Sequence, residues 1–176
     1  MFNKILVANR GEIAVRIIRA CRELGVRTVA VYAKVDGKSL HVQMADEAYC
    51  IGESKIQDSY LHEDAILQMA LSTHCEAIHP GYGLLSENAN FAKRVEEEGL
   101  VFIGPKPAQI ELLGDKEQAR QTMARYGVPI TPGANGLESL EAAIDEAKTI
   151  GYPVLLKAAR GGGGKGIKLV EDESQM

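Results

Sequence analysis

Residues 4–25 read Lys4-Ile-Leu-Val-Ala-Asn-Arg-Gly-Glu-Ile-Ala-Val-Arg-Ile-Ile-Arg-Ala-Cys-Arg-Glu-Leu-Gly25, and a second apolar run, Thr28-Val-Ala-Val-Tyr32, follows at once. Lys4 to Ala8 is a short apolar segment of strand character. From Ile13 to Leu24 the apolar side chains Ile13, Ile17, Cys21 and Leu24 recur at helical spacing, while Arg16, Arg19 and Glu23 share another face. Gly25 stands where a helix C-terminus takes a glycine. This strand, helix and strand make one crossover unit, and the pattern continues beyond it. Helices are expected near 40–47, 63–71 and 87–98, with strands near 49–51, 77–79 and 100–103. Such alternation predicts a doubly wound α/β domain with a parallel sheet and right-handed crossovers.

The Gly-Pro-Lys-Pro of residues 104–107 punctuates the chain, and two helices are expected after it, near 108–113 and 116–126. Val128-Pro-Ile-Thr-Pro-Gly133 reads as an extended connector, because each proline disfavours helix at the residue before it. A helix near 137–150, a strand over 153–159, a glycine cluster and a strand over 167–170 come next, and Glu171-Asp-Glu-Ser174 reads as the opening of another helix. One helix and two strands can enclose little core. The organisation expected is therefore a complete domain over 1–114 and the incomplete start of a second over 115–176.

The 176 residues carry 20 Lys+Arg and 24 Asp+Glu, a formal net charge of -4, with 45% apolar and 25% charged types. That balance excludes a disordered tail, a collagen-like chain and a strongly basic nucleic-acid binder. The longest apolar runs are about five residues, too short to span a bilayer. No secretory or transit leader is evident, so a cytoplasmic protein is expected. Cys21, Cys50 and Cys75 are odd in number and widely spaced; buried or half-buried thiols are expected, with no disulfide or CxxC metal site.

The strongest local signal is Arg160-Gly-Gly-Gly-Gly-Lys-Gly166. Residues 161–166 satisfy G-x-G-x-x-G, but a dinucleotide fingerprint needs a helix directly after the glycines, and here a β-branched strand follows. A P-loop fails too, since Gly166 follows Lys165 where Ser or Thr is required. Two strands joined by glycines suggest a hairpin flap whose N–H groups converge on phosphate, with Lys157 and Lys165 adding charge. Lys116, in Gly114-Asp-Lys116, opens a helix where the dipole disfavours a cation, which a phosphate or carboxylate partner would explain; Asp115 can cap that helix. Two further stretches, Ala8-Asn-Arg-Gly-Glu12 and His79-Pro-Gly-Tyr-Gly83, lie at strand ends where open α/β sheets bind ligands. In the second, Gly81 and Gly83 hold a tight turn, Ser86 can cap the next helix, and Tyr82 is left at the mouth. His79 reads as a hydrogen-bonded core histidine more than a base. His74, Cys75 and His79 lack metal-ligand spacing.

The segments KILVANRGEIAVRIIRACRELG (4–25), AIHPGYGLLSENANFA (77–92), FIGP (102–105), GDK (114–116), GVP (127–129) and YPVLLKAARGGGGKG (152–166), in this order, resemble the N-terminal portion of biotin carboxylase. That family is the ATP-grasp component of biotin-dependent acetyl-CoA, propionyl-CoA, methylcrotonyl-CoA and pyruvate carboxylases. The resemblance implies a pre-ATP-grasp domain followed by the opening of an ATP-grasp domain. The implied activity is that of a ligase, in which ATP activates bicarbonate as carboxyphosphate and the carboxyl passes to biotin on a carrier protein. It implies ATP contacts at Lys116, Lys157, Gly161, Gly162, Gly163, Gly164 and Gly166, a place for Tyr82 near biotin, and a homodimer face with Arg16, Arg19 and Glu23. The magnesium ligands and the catalytic arginine and lysine groups of the family are implied to lie beyond Met176. No catalytic or metal-binding residue is therefore expected within this chain, and no turnover from it alone. A carboxyltransferase is the implied downstream partner. Arg160 stands where some relatives have glycine, and Lys165 replaces the arginine of many members, keeping the charge but losing the bidentate fork. Three other readings remain at this point: another ATP-grasp ligase, a non-catalytic dimerisation module and, weakened by the strand after the glycines, a nicotinamide-dependent oxidoreductase.

Overall fold

The structure, a computed structural model, describes residues 1–134, 136–157 and 166–176, and at residues 116 and 117 the backbone only. It divides into two compact units, Met1–Asp115 and Lys116–Met176.

In the first unit β1 (Lys4–Val7), β2 (Arg27–Ala33), β3 (Glu47–Gly52), β4 (Ala77–His79) and β5 (Val101–Phe102) form one sheet in the order β3-β2-β1-β4-β5. Every pairing in it is parallel. The helices α1 (Gly11–Glu23), α2 (Leu40–Met44), α3 (Glu63–Ser72), α4 (Ala89–Glu97) and α5 (Pro107–Gly114) connect and follow these strands. β1 is buried at all four positions, as a strand covered on both faces must be. Ile5 and Val7 pack on one side with Ala14, Ile17, Ile18 and Cys21 of α1. Leu6 and Ala8 face the other side, where Ile66, Phe91, Val95 and Ile110 of α3, α4 and α5 gather. The doubly wound expectation is thus met, and the side-chain alternation of β1 is what divides the core into two layers.

The buried stripe of α1 is Ala14, Ile17, Ile18 and Cys21, at spacings of three and four; Leu24 is exposed. Gly25, at φ +72°, ends the helix. Its N–H donates to the Arg22 carbonyl at 3.2 Å and the next N–H, of Val26, to Cys21 at 2.8 Å, a closing pattern that hands the chain to β2. α2 is shorter than the expected 40–47. The Asp46 carboxylate accepts from Thr28 N at 2.7 Å and from its hydroxyl at 2.9 Å, which draws the chain into β3. α4 is capped by Asn88, whose side chain accepts from Phe91 N at 2.9 Å; Ser86 does not serve, because a 3-10 turn over Leu84–Glu87 already holds it. Cys21 and Cys75 are buried, whereas Cys50 is exposed on edge strand β3, so the expectation of buried or half-buried thiols fails there.

The second unit holds α6 (Lys116–Arg125), α7 (Leu140–Ile150) and an antiparallel pair, β6 (Val154–Lys157) with β7 (Ile167–Val170). α7 starts later than the expected 137 because Ser139 accepts from Ala142 N at 3.1 Å and sets the first turn there. The final segment forms a 3-10 turn over Glu173–Gln175, with Asp172 as its cap. Ala147 and Val170 are this unit's only buried side chains among the described residues, in keeping with the small core expected. No described helix is long and apolar enough to cross a membrane.

Two histidines of the first unit titrate low because of where the fold puts them. His41 is 1% exposed, and burial outweighs the Val31 backbone and the Asp36 carboxylate, which pull its pKa the other way. His79, half-buried at the end of β4, is depressed by burial alone. An unfolded imidazole takes up a proton near pH 6.5, while these two do so only at lower pH, so acid in that window favours the unfolded chain. Urea midpoints should hold steady above about pH 7 and fall as the pH drops from about 6.5 through the two depressed values. Replacing His41 by Leu should flatten part of that slope.

Candidate functional site

β1 and β4 are neighbours, yet the chain leaves them toward opposite faces, into α1 and toward α4. That divergence opens the crevice at the carboxyl ends of the strands where open α/β sheets take their ligands. Two loops meet there: Asn9 to Glu12 after β1, and Pro80 to Leu84 after β4.

Asn9 joins them. Its side chain is 4% exposed overall, and its Nδ2 donates to the carbonyls of Pro80 at 2.6 Å and Tyr82 at 2.9 Å. Its Oδ1 accepts from Arg10 N at 2.8 Å. Gly81 is required against it: the backbone lies at φ +68°, and a Cβ there would sit 2.8 Å from Asn9 Nδ2. Tyr82 projects from this turn, 61% exposed, and its hydroxyl donates to the Glu12 carboxylate in the first turn of α1. That carboxylate raises the phenol pKa, since removing the proton would set two anions together. His79 Nδ1 accepts from Gly81 N at 3.1 Å, so its ring serves the turn, as a core histidine would.

Beside this crevice Arg10 reaches across to the end of β2. Its guanidinium lies 5.3 Å from the centre of the Tyr60 ring and 3.6 Å from Asp36 Oδ2. Tyr60 is fully buried; its hydroxyl donates to Asp36 at 2.8 Å and accepts from Ala33 N at 3.2 Å. Burial, reinforced by Asp36, keeps that phenol protonated. The network gives the loop after β1 a second anchor.

On the outer face of α1, Arg16, Arg19 and Glu23 are exposed and line an open cleft of about 760 Å³ with Ser39, Leu40 and His41. None of the three makes an ion pair among the described residues.

In the second unit, β6 and β7 pair from Val154 with Val170 to Lys157 with Ile167. The segment after the glycine run is therefore a strand paired antiparallel with the one before it. Lys157 is the last residue of β6 and exposed; Gly166, at φ +73°, precedes β7. Gly161, Gly162, Gly163, Gly164, Arg160 and Lys165 lie outside the described residues. Lys116 is the first residue of α6, after an extended Asp115. No group of three His, Cys, Asp or Glu side chains converges among the described residues.

A family model described as "Biotin carboxylase, N-terminal domain" matches residues 1–110. The chain belongs to the biotin carboxylase family. A second model, "Carbamoyl-phosphate synthase L chain, ATP binding domain", matches residues 115–176. Biotin carboxylase 1 of Bacillus subtilis is 55% identical over 177 residues, covering 100% of this chain and 39% of its own length. Pyruvate carboxylase of the same organism is 52% identical, over 98% of this chain and 15% of its length. Among solved structures, the biotin carboxylase domain dimer of Hydrogenobacter thermophilus 2-oxoglutarate carboxylase, in complex with MgADP, ADP and bicarbonate, is 54% identical with a TM-score of 0.90, over 99% of this chain and 39% of that one. The β,γ-ATP complex of Campylobacter jejuni biotin carboxylase is 46% identical with a TM-score of 0.92, over the same shares. The chain thus spans about 39% of the length of several curated relatives it matches.

Asn9, Glu12 and the Arg10, Asp36 and Tyr60 network were not singled out from sequence. The partners of Asn9 and Glu12 lie some 70 residues away and meet them only because β1 and β4 are adjacent, while those of Arg10 lie in the segments after β2 and β3. Gly81→Ala should cost about 1–2 kcal/mol from the left-handed backbone alone, with the contact on Asn9 adding to it. Urea unfolding of the variant checks this.

Proposed function

We propose that this chain supplies the nucleotide flap and one wall of the biotin site of an ATP-dependent biotin carboxylase. Met1–Asp115 is then the pre-ATP-grasp domain, and Lys116–Met176 the opening of the ATP-grasp domain. The observation that supports this reading is the antiparallel β6–β7 pairing, with exposed Lys157 as the last residue of β6. A match to biotin carboxylases over 99–100% of this chain, though only 39% of their own length, supports it.

ATP and Mg2+, bicarbonate and carrier-bound biotin are the expected ligands. In this reading glycines are suited to phosphate because they lack a Cβ to block approach to a backbone N–H, and Lys157 and Lys116 would neutralise phosphate charge. Phosphoryl transfer is largely positioning and charge neutralisation, and a lid that excludes water protects a labile product. Tyr82, held by Glu12, offers a fixed aromatic surface at the crevice for biotin. Magnesium would be held elsewhere in the polypeptide. The partners are a biotin carboxyl carrier, a carboxyltransferase and a second copy of the enzyme, in the cytoplasm. The acceptor is an acyl-CoA, as in acetyl-CoA carboxylase and fatty acid synthesis, or a keto acid.

In a full-length enzyme carrying this chain, Lys157→Ala should raise the KM for ATP by about 10- to 100-fold, the loss of a charge-assisted bond worth about 1.5–3 kcal/mol. The 176-residue chain alone should show no bicarbonate-dependent ATP hydrolysis. Unchanged ATP affinity in the variant would sink the nucleotide-flap reading.

The unpaired charges of Arg16, Arg19 and Glu23 support the homodimer face, since a two-fold interface can pair an arginine of one copy with a glutamate of the other. Arg19→Glu should weaken self-association of the full-length enzyme in sedimentation experiments.

A further inference from the structure

We infer that Asn9 is the positioning residue for Tyr82: its side-chain amide sets the turn that aims the phenol ring into the crevice. The inference rests on the reading that Tyr82 faces biotin.

The turn cannot define itself. Gly81, Gly83 and Leu84 all lie at positive φ, +68°, +62° and +48°. Leu84 is a residue for which that region is costly, so the surroundings must impose the conformation. Within the turn, the Ser86 N–H donates to the Gly83 carbonyl at 2.9 Å, which fixes only its far end. At the near end His79 Nδ1 accepts from the Gly81 N–H at 3.1 Å, and the two carbonyls on either side of Gly81 are held by Asn9. An amide has two donors and one acceptor oxygen. Both donor directions of Asn9 meet carbonyls and its oxygen meets an N–H, so the orientation of the amide is determined.

Tyr82 is consequently held at two points by one loop. Asn9 binds its main-chain carbonyl, and Glu12, three residues on, accepts from its hydroxyl. The ring between these points stays exposed. Asn9 itself is buried beneath the turn, so its influence on a bound molecule passes through Tyr82. Aspartate has the same shape but would aim carboxylate oxygen at two carbonyls, which makes Asn9→Asp the sharpest probe.

The test is done in the full-length enzyme with free biotin as acceptor. Tyrosine labelled with 13C at Cζ reports the Tyr82 phenol, assigned by Tyr82→Phe. Asn9→Asp should return the Tyr82 titration toward that of an ordinary tyrosine. It should also raise the KM for biotin at least about tenfold while the KM for ATP stays within about twofold. If Tyr82→Phe raises the biotin KM but Asn9→Asp moves neither the titration nor that KM, the positioning role is overturned and the biotin reading stands. If Asn9→Asp releases the phenol and neither variant alters the biotin KM, positioning is upheld and the biotin reading fails. Should the aspartate variant not fold, Asn9→Ser is measured in its place. In the wild type, the Asn9 side-chain amide protons should exchange slowly with solvent; fast exchange in the folded protein overturns the inference.

Discussion

The first unit depends on a single buried amide where two loops converge. Asn9 follows the fully buried strand β1 and gives both its amide donor bonds to the turn after the neighbouring strand. A buried polar group is stable only when its partners are in place, so the β1 and β4 edges must be in register before either loop can settle. The parallel pairing of Leu6 with Ile78 and Val7 with His79 supplies that register. The crevice of the doubly wound sheet is thereby given a floor, a fixed tyrosine and a carboxylate.

Around that floor the same loop is gripped from the other side by a different kind of contact. Arg10 lies over the Tyr60 ring and beside Asp36, close to the end of β2. Neutral and charged groups divide the work: the amide fixes direction, while the guanidinium adds an attraction tolerant of small shifts. A crevice wall made this way keeps Tyr82 in place while leaving its face open. The second unit has the opposite character: among its described residues only Ala147 and Val170 are buried.

Local chemistry accounts for what could be read without coordinates. The stripe of α1 and its glycine terminus are set by contacts within one or two turns, and they emerge within a residue or two of where they were expected. The β-branched run after the glycines already required a strand, which excluded a dinucleotide helix before the pairing of β6 with β7 was seen. Where the expectations failed, one cause was distant and one local: Asp46 shortened α2 by bonding to Thr28, and Asn88 displaced Ser86 as cap because a 3-10 turn had taken up Ser86.

By itself the sequence determined the alternation of strands and helices, the strand after the glycine run and the family motifs, because each is written in residues close together along the chain. Only the tertiary structure decided which side chains meet. Asn9 reaches Pro80 and Tyr82, Glu12 meets the Tyr82 hydroxyl, and Arg10 meets Asp36 and Tyr60, because the order β3-β2-β1-β4-β5 lays remote loops side by side. Periodicity records which face of an element is buried, but it carries no information about which strand lies next to it.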